Sequence, residues 1–311
     1  MALTFAKLSH PPATPLQRIR DPEWEARGVT LWLKRDELLA PAPDDPFCGN
    51  KWRKLQYNLW YARERKLDTL VSFGGPFSNH IAALASAGQH LGFHTIGLIR
   101  GEVVENPTLR RARADGMTLH FVDRNTYRRQ AQHDFDRELW ARFGPHLLLP
   151  EGGTNALALK GCADLGREIL DQLPVAPTCV AVACGTGGTL AGLVTALSAH
   201  CPVLGVSALR GSFLQEEVEQ LLLRYTKQRW PNWSVAHDDH HGGYAKLSPE
   251  LVAFMRAFTE RHGILLDPIY TGKLLFALYR RLREGAFRPD EQVVAIHTGG
   301  LQGRAGFEGR L

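Results

Sequence analysis

The amino-acid sequence predicts an α/β protein with mainly parallel sheet. Two observations support this fold class. Short apolar runs alternate along the chain with longer segments in which apolar residues recur at helical spacing. The short runs are apolar throughout rather than at every second position, which is typical of parallel strands that are covered on both faces. The length of 311 residues is enough for one large or two medium domains.

The first half of the chain alternates strands and helices after a proline-rich leader. In the loop before residue 47, Pro41, Pro43 and Pro46 exclude a helix. Continuous apolar runs predict strands at residues 30–34, 70–73, 94–99, 119–122 and 147–149. Helical spacing predicts a helix from about residue 50 and further helices at 78–91, 107–114 and 126–143.

The second half continues the pattern, with one irregular segment. The predicted strands are 179–183, 203–207 and 293–297, and the predicted helices are 156–173, 189–200, 212–225, 248–262 and 272–283. Residues 228–245 fit neither pattern and contain three histidines and two aspartates within 237–241. Such side chains can bind a metal, but their spacing matches no known metal site, and a solvated loop is the better interpretation.

Composition excludes several classes of protein. The 44% of apolar and 22% of charged residues are ordinary for a globular protein, and no apolar run approaches the roughly 18 residues of a membrane span. The N-terminus lacks the pattern of a secretory signal. The net charge of +5 is spread along the chain, which argues against nucleic-acid binding. Five cysteines without paired spacing indicate reduced thiols in the cytoplasm.

A lysine stands in the first turn of the helix predicted near residue 50. Gly49 and Asn50 before it are a turn residue and a helix-capping residue. The positive end of the helix dipole lowers the pKa of Lys51, and burial would lower it further. A neutral lysine amine is a nucleophile that forms imines with carbonyl compounds or with pyridoxal phosphate. The alternative is a solvated surface lysine.

Four glycine-rich turns follow predicted strands, at residues 74–80, 150–155, 185–189 and 298–300. In parallel sheets, ligands bind at the carboxyl ends of strands, where such turns lead into helices. In the first turn, Ser78 and Asn79 stand at a helix start, where a hydroxyl and free N–H groups suit a substrate carboxylate. A Ser78 that only caps the helix is an equally good interpretation.

The turn at residues 185–189 is the best phosphate candidate. Its glycines let backbone N–H groups approach an anion, its two threonine hydroxyls can donate, and a helix begins there. It lacks both the Gly-Lys-Ser/Thr ending of a nucleotide loop and the glycine spacing of a dinucleotide site. A single phosphate monoester therefore fits it better, although a glycine turn can also serve packing alone.

Several motifs coincide, in order, with those of one family. They are Gly-Asn-Lys at 49–51 with Arg-Lys-Leu at 53–55, Ser-Asn-His at 78–80, Glu-Gly-Gly at 151–153, Gly-Thr-Gly-Gly-Thr at 185–189, Asp-Pro-Ile-Tyr-Thr-Gly-Lys at 267–273 and His-Thr-Gly-Gly at 297–300. Over nearly its whole length the chain resembles the D-cysteine desulfhydrase and aminocyclopropane-carboxylate deaminase family of pyridoxal-phosphate enzymes. The resemblance implies the tryptophan-synthase-β-like fold, called fold type II. It also implies a large cofactor-binding domain (1–51 and 150–311) and a small domain (52–149).

The resemblance also implies roles for single residues. Lys51 would hold pyridoxal phosphate through an imine and move the Cα proton, with Lys54 as its only rival. Ser78 would meet the substrate, and Tyr270 would lie over the substrate side of the cofactor ring. Asn79 would bind the ring hydroxyl, and Thr298 the pyridine nitrogen. The residues implied to hold the phosphate are Gly185, Thr186, Gly187, Gly188 and Thr189.

The same resemblance bears on the reaction. Deaminases of the family typically have glutamate after the tyrosine and leucine before the last glycine pair, whereas this chain has Thr271 and Thr298, as desulfhydrases do. It therefore implies α,β-elimination from a small amino acid, most simply D-cysteine, in a cytoplasmic homodimer without a metal. The alternatives are aminocyclopropane-carboxylate deamination, another lyase or racemase on the same cofactor, or a non-catalytic binding protein. One departure is Phe77, where the family commonly has glutamine, a change expected to reshape the substrate pocket.

Overall fold

The computed structural model describes residues 3–307 and 309–311 and contains two separate sheets. From edge to edge, the first sheet consists of β1 (Leu16–Ile19), β2 (Thr30–Lys34), β10 (Gln292–Ile296), β7 (Cys179–Cys184), β8 (Val203–Ser207) and β9 (Trp233–Ala236). The second consists of β5 (Thr118–Val122), β4 (His94–Arg100), β3 (Thr69–Gly74) and β6 (Leu147–Leu149). All neighbouring strands are parallel except β1 and β2. The predicted α/β fold is confirmed.

The helices cover these sheets and connect their strands. In the described part of the chain they are α1 (Phe5–Ser9), α2 (Pro22–Glu25), α3 (Gly49–Glu64), α4 (Asn79–Leu91), α5 (Pro107–Ala114), α6 (Arg124–Arg128), α7 (His133–Phe143), α8 (Ala156–Gln172), α9 (Gly188–Leu197), α10 (Leu214–Thr226), α11 (Pro249–His262) and α12 (Thr271–Arg283). Side-chain caps start several of them. Asn106, Asn155 and Ser248 each accept a hydrogen bond from the backbone N–H three residues later.

Two strands were missing from the sequence prediction. β1 lies in the segment that was expected to be a leader, and β9 lies in the segment that was expected to be irregular. Both are four-residue strands at the two edges of the first sheet. Because an edge strand has one paired side and is only partly covered, neither contains the continuous apolar run that marks a central parallel strand.

The helix predicted at residues 126–143 is two helices. α6 ends at Arg128, a short 3₁₀ helix (Arg129–Ala131) follows, and α7 begins after Gln132, whose backbone is extended (φ −89°, ψ 134°). Two acidic residues, Asp134 and Asp136, lie in the first turn of α7, where the positive end of the helix dipole favours them. This second helix start accounts for the break.

The core of the first sheet lies on both of its faces, as parallel sheets require. Alternate residues of β7 point to opposite sides: Ala181 packs with α11 and α12, whereas Val180 packs with α8 and α9. All four strands of the second sheet lie between residues 69 and 149, within the segment expected to form the small domain. The division of the chain into two domains stays a prediction.

A buried ion-pair network ties α3 to the first sheet. The Arg53 guanidinium donates to Asp36 Oδ1 and to Glu168 Oε2, each at 2.8 Å. Lys34, at the end of β2, forms a second ion pair with Glu168 on α8. Arg53 is 2% exposed and Asp36 is fully buried. Because charges in such a position need partners, the network holds the first turns of α3 against β2 and α8.

We expect Arg53→Met to lower the free energy of unfolding by about 3–5 kcal/mol, because it leaves the buried Asp36 carboxylate without its ion pair. The midpoint of urea denaturation measures this loss. Arg20→Met is the matched control, since the ion pair of Arg20 with Glu25 is exposed to solvent. Equal midpoints for both variants would show that the network does not stabilise the protein.

Candidate active site

A cavity of about 600 Å³ lies where the carboxyl ends of the strands of both sheets meet the start of α3. Its lining comes from the turns after β3, β6, β7 and β10, together with Tyr244 and Tyr270. This is the expected position of a ligand site in a parallel α/β protein, and the volume is in the usual range for one. The cavity is lined by each of the predicted site residues: Lys51, Ser78, Asn79, Gly185, Thr186, Gly187, Gly188, Thr189, Tyr270 and Thr298.

Lys51 is placed by a close approach of α3 to the loop after β10. Gly49 has a positive φ of 51°, and a Cβ on it would lie 2.4 Å from the carbonyl oxygen of Thr298. Only glycine allows this contact. The backbone N–H of Asn50 donates to the same Thr298 oxygen at 3.2 Å. The start of α3 therefore fits directly against the end of the neighbouring strand.

Asn50 does not cap α3, contrary to the sequence expectation. The helix begins at Gly49, and Cys48 stands at the cap position without a side-chain hydrogen bond. The Asn50 side chain instead bridges two site residues, since its Oδ1 accepts from Lys51 Nζ at 3.0 Å and its Nδ2 donates to Thr189 Oγ1 at 3.1 Å. Asn50 thus links the lysine to the glycine-rich turn.

The two lysines of α3 occupy different environments. Burial lowers the pKa of Lys51, so its amine is easier to deprotonate than a surface lysine. Burial and then the charge of Lys51 lower the pKa of Lys54 to about 7. Lys54 Nζ donates to Thr154 Oγ1 at 2.8 Å and to the Gly152 carbonyl, and it lies 3.0 Å from the Cβ position of Gly188. Lys54 therefore lies at the glycine-rich turn with its hydrogen bonds already made.

The turn at 185–189 has the backbone that an anion site needs. Gly187 has a φ of 76°, and a Cβ there would lie 2.4 Å from Val218 Cγ2. Helix α9 starts at Gly188 without a side-chain cap, so its first N–H groups remain available to an anion. A Cβ on Gly185 would lie 3.0 Å from the Tyr270 hydroxyl, which places that ring beside the turn.

Ser78 and Asn79 lie at the start of α4, and both line the cavity. Ser78 Oγ accepts from the N–H of Ile81 at 3.3 Å, so the serine does cap the helix, and it also lines the cavity. Asn79 Oδ1 accepts from Gln302 Nε2 at 3.1 Å. Its Nδ2 lies 2.8 Å from the Cβ position of Gly300, and so faces the turn after β10. This leaves an amide donor near Thr298.

His80 follows these two residues but is not suited to carry a charge. Its Nε2 lies 2.9 Å from Ser72 Oγ, and its side chain is buried. Burial and the charges of Lys54 and Lys51 hold the pKa of His80 well below its usual range. The ring is therefore neutral at physiological pH.

A tight turn orients Tyr270. The N–H groups of Ile269 and Tyr270 both donate to Asp267 Oδ1. The Thr271 hydroxyl bonds to the backbone of Asp267, accepting from its N–H at 2.8 Å. Thr271 is 1% exposed and does not belong to the cavity lining in the described chain. Its effect on the site is therefore exerted through the shape of this turn.

Tyr244 is a site residue that the sequence analysis missed. It lies in the irregular segment 228–245, which is partly exposed and is anchored at two points: Arg280 pairs with the buried Asp239, and Lys273 Nζ donates to the Gly243 carbonyl at 2.7 Å. Tyr244 and Tyr270 meet edge to face, with ring centroids 6.3 Å apart. The sequence feature that could have identified Tyr244 is the pair of glycines, Gly242 and Gly243, directly before this aromatic residue.

The histidines and aspartates of this segment form no metal site in the structure. Within the described chain, no group of three metal-ligating side chains is present.

Phe77 precedes Ser78, but its side chain does not belong to the cavity lining. Its side chain is 47% exposed and approaches Gly306. Its carbonyl oxygen accepts a hydrogen bond from the Tyr244 hydroxyl at 3.4 Å. This contact uses the backbone of residue 77, so the expected reshaping of the substrate pocket by the Phe77 side chain stays a prediction.

The cavity fits pyridoxal phosphate. A lysine with a lowered pKa stands at one side, and an uncapped helix start with close-packed glycines stands at another. Asn79 and Thr298 present polar groups between them, and Tyr270 lies beside the glycine turn. These are an imine-forming amine, a phosphate-sized anion site and hydrogen-bonding partners for a polar ring.

Comparisons with known proteins agree with this chemistry. A D-cysteine desulfhydrase of Serratia proteamaculans is 28% identical over 307 residues, covering 93% of this chain and 91% of that protein. A bifunctional D-cysteine desulfhydrase/1-aminocyclopropane-1-carboxylate deaminase of Arabidopsis thaliana is 28% identical over 325 positions, covering 96% and 79%. The crystal structure of an ACC deaminase homologue superposes with a TM-score of 0.80 at 27% identity, covering 96% and 95%.

The family model for pyridoxal-phosphate dependent enzymes matches residues 8–299, which is nearly the whole chain. The fold type II architecture expected from the sequence is confirmed by the superposition, and so is the cofactor by the family match. The chain belongs to the family of pyridoxal-phosphate-dependent enzymes.

Proposed function

We propose that this enzyme catalyses α,β-elimination from a small amino acid that carries a leaving group on Cβ, with D-cysteine as the first candidate. D-Cysteine and water would yield pyruvate, ammonia and sulfide. The observation that carries the proposal is the position of Lys51 and Tyr270 in one cavity with Thr298, a neutral residue, at the end of β10. The name of the Serratia proteamaculans relative supports the same reaction.

Pyridoxal phosphate, when bound, supplies an electron-withdrawing ring that makes the Cα proton of an attached amino acid acidic. We assign its attachment to Lys51, whose lowered pKa favours the neutral amine. The turn from Gly185 to Thr189 would bind the phosphate through its N–H groups and the threonine hydroxyls. A bound phosphate would favour the charged form of Lys54, whose pKa is about 7 and whose Nζ is held beside Gly188.

Asn79 and Thr298 are assigned to the ring. Asn79 keeps its Nδ2 free as a donor because its Oδ1 is already engaged by Gln302. Thr298 is uncharged and cannot hold a pyridine nitrogen protonated as a carboxylate would. A weaker electron sink favours elimination, in which the negative charge leaves at once with the leaving group.

Ser78, Lys51 and Tyr270 are assigned to the substrate. The Ser78 hydroxyl and the start of α4 would bind the α-carboxylate, for which the positive end of the helix dipole is suited. Lys51 Nζ would take the Cα proton. Tyr270 would then protonate the leaving thiolate. Burial and then the neighbouring Tyr244 raise the pKa of Tyr270, so its hydroxyl keeps its proton at physiological pH and can donate it.

Aminocyclopropane-carboxylate deamination is the second candidate, because the Arabidopsis thaliana relative carries both activities in its name. Ring opening requires another proton relay. The residue after Tyr270 is Thr271, whose hydroxyl is engaged by the Asp267 backbone and cannot serve as an acid beside that tyrosine. This contact favours elimination.

The decisive experiment compares sulfide release from D-cysteine with 2-oxobutanoate release from aminocyclopropane carboxylate, using purified holoenzyme and L-cysteine as the stereochemical control. We expect sulfide release from D-cysteine to exceed the other two rates by at least about tenfold. Efficient 2-oxobutanoate formation without sulfide would replace the first candidate by the second. If neither activity is found and Phe77→Gln produces some sulfide release from D-cysteine, this would show that Phe77 makes the enzyme select a substrate with another side chain.

We also propose that the enzyme is a cytoplasmic homodimer. All five cysteines are unpaired in the structure, which suits a reducing compartment. None of the described helices has the length and apolar character needed to cross a bilayer. The dimer is proposed from the family resemblance, and light scattering of the purified holoenzyme tests it: a monomer mass of 34.7 kDa would exclude it.

A further inference from the structure

One wall of the cavity carries an arginine that the reaction proposed above does not use. Arg100 is the last residue of β4, and β4 pairs with β3 so that Ile99 lies opposite Gly74. The register brings Arg100 next to the turn that leads to Ser78. Its Nη2 lies 3.8 Å from the Cβ position of Gly75, and its side chain lines the cavity.

The Arg100 guanidinium has no carboxylate partner within 4.0 Å among the described residues. The guanidinium instead packs on the face of Tyr127, with its central carbon 5.2 Å from the ring centroid. This packing holds the planar group in place without using its N–H donors. Arginines that bind carboxylates often donate from two nitrogens of the guanidinium fork to the two carboxylate oxygens, as Arg280 does to Asp239 in this protein.

Two acidic residues also line the cavity, Glu217 and Glu151, and Glu151, after burial, raises the pKa of Tyr127. It forms no ion pair with Arg100. The guanidinium donors therefore remain available to a ligand, while Glu151 would repel an anion placed too close to it. Sulfide, the leaving group of cysteine, has no carboxylate that the Arg100 guanidinium could bind.

We propose that Arg100 selects substrates whose leaving group ends in a carboxylate. This inference rests on the proposed elimination and extends it beyond D-cysteine to a further substrate class: β-substituted amino acids with an anionic group at the far end of the side chain. Ser78 and the start of α4 bind the α-carboxylate, and Arg100, on the neighbouring strand, binds the distal one.

The chemistry remains that of the proposed elimination. The Cα–H and the Cβ–O or Cβ–S bonds break, the proton passes to Lys51, and the leaving group departs with the electron pair of its bond to Cβ. A water molecule then hydrolyses the three-carbon product to pyruvate and ammonia. Arg100 takes no part in these bond changes; it binds the part of the substrate that leaves.

The test compares two serine esters of equal length, O-succinylserine and O-butanoylserine, with the holoenzyme and with both enantiomers. The first ends in a carboxylate and the second in a methyl group, and the bonds that break are the same. We expect kcat/KM to favour the succinyl ester at least about tenfold, the usual effect of one charge-assisted hydrogen-bonded pair. Pyruvate formation measures both rates.

Variants of the wall then assign the preference. Arg100→Gln should reduce the ratio of the two kcat/KM values to about threefold or less. Arg110→Gln, an exposed arginine of α5 outside the cavity, is the matched control and should keep the ratio. Glu151→Gln should increase the ratio, because it removes a negative charge that repels the succinyl carboxylate. Equal kcat/KM values for both esters in the unmodified enzyme would overturn the proposal, as would a ratio that Arg100→Gln leaves intact.

A binding measurement separates this proposal from the elimination itself. 2-Aminosuberate and 2-aminooctanoate have the length of the two esters but no leaving group, and calorimetry with the holoenzyme gives their dissociation constants. Tighter binding of 2-aminosuberate that Arg100→Gln abolishes would support the role of Arg100 even if neither ester were eliminated. Equal weakening of both ligands by Arg100→Gln would show that Arg100 binds the α-carboxylate instead, and would overturn the proposal.

Discussion

Lys51→Ala is expected to reduce turnover by more than about 10⁴-fold, because it removes both the amine assigned to hold the cofactor and the base assigned to the Cα proton. The structure supports Lys51 over its neighbour on the helix. Lys54 Nζ already donates to Thr154 and Gly152, whereas Lys51 Nζ donates to one partner among the described residues, the adjacent Asn50. Steady-state rates with D-cysteine measure the loss, and circular dichroism checks that the variant folds.

The attachment site can be read independently of activity. Borohydride reduction of the holoenzyme fixes the cofactor to its lysine, and trypsin cleaves after Arg53, between the two candidates. Cofactor on Lys51 would appear in the tryptic peptide 36–53, and cofactor on Lys54 in the peptide 54–63. Label in the second peptide, or label retained in full by Lys51→Ala, would overturn the assignment. Lys54→Met is the matched variant and should keep the label on Lys51.

Gly187→Val is expected to weaken binding of pyridoxal phosphate by at least about tenfold. The new side chain must adopt a φ of 76°, and its Cβ would lie 2.4 Å from Val218 Cγ2, so the turn or α10 has to move. A displaced turn no longer points its N–H groups at a phosphate. Equilibrium titration of the apoenzyme, followed by cofactor absorbance, gives the dissociation constant.

Gly263→Val is the control for backbone strain alone. Gly263 also has a positive φ, 66°, but it ends α11 with no atom within 4 Å of its Cβ position. We expect this variant to lose stability and to keep its cofactor affinity. Pyridoxal without phosphate adds a second control, since Gly187→Val should affect its binding much less. If Gly187→Val bound pyridoxal phosphate as tightly as the unmodified enzyme, the turn would serve packing only.

The glycine-rich turns show how local sequence can locate a site before its geometry is known. A buried parallel strand is recognised by its apolar run, and the turn after it lies at the edge where ligands bind. Ser78, Asn79, Thr298 and the turn at 185–189 follow this rule, and they line one cavity with Lys51, which was identified instead by its place at a helix start. Their individual roles stay predictions until the experiments above are done.

Residues without such a marker were missed. Tyr244 reaches the cavity because Lys273 and Arg280 anchor its segment from α12, about thirty to forty residues further along the chain. Thr271 was used in the sequence analysis only as a residue typical of desulfhydrases, and the structure shows that its hydroxyl is engaged by the backbone of Asp267. In both cases, contacts between distant segments or the path of a single turn decide where the side chain points.

The sequence by itself determined the fold class, the central strands and the family, because continuous apolar runs and ordered motifs are local properties of the chain. Only the tertiary structure decided that β1 and β9 form the edges of the first sheet and that Arg100 lies beside the turn of Ser78. It also distinguished the environment of Lys51 from that of Lys54. Strand order, burial and the hydrogen bonds of a side chain depend on residues far away in sequence, so no local pattern contains them.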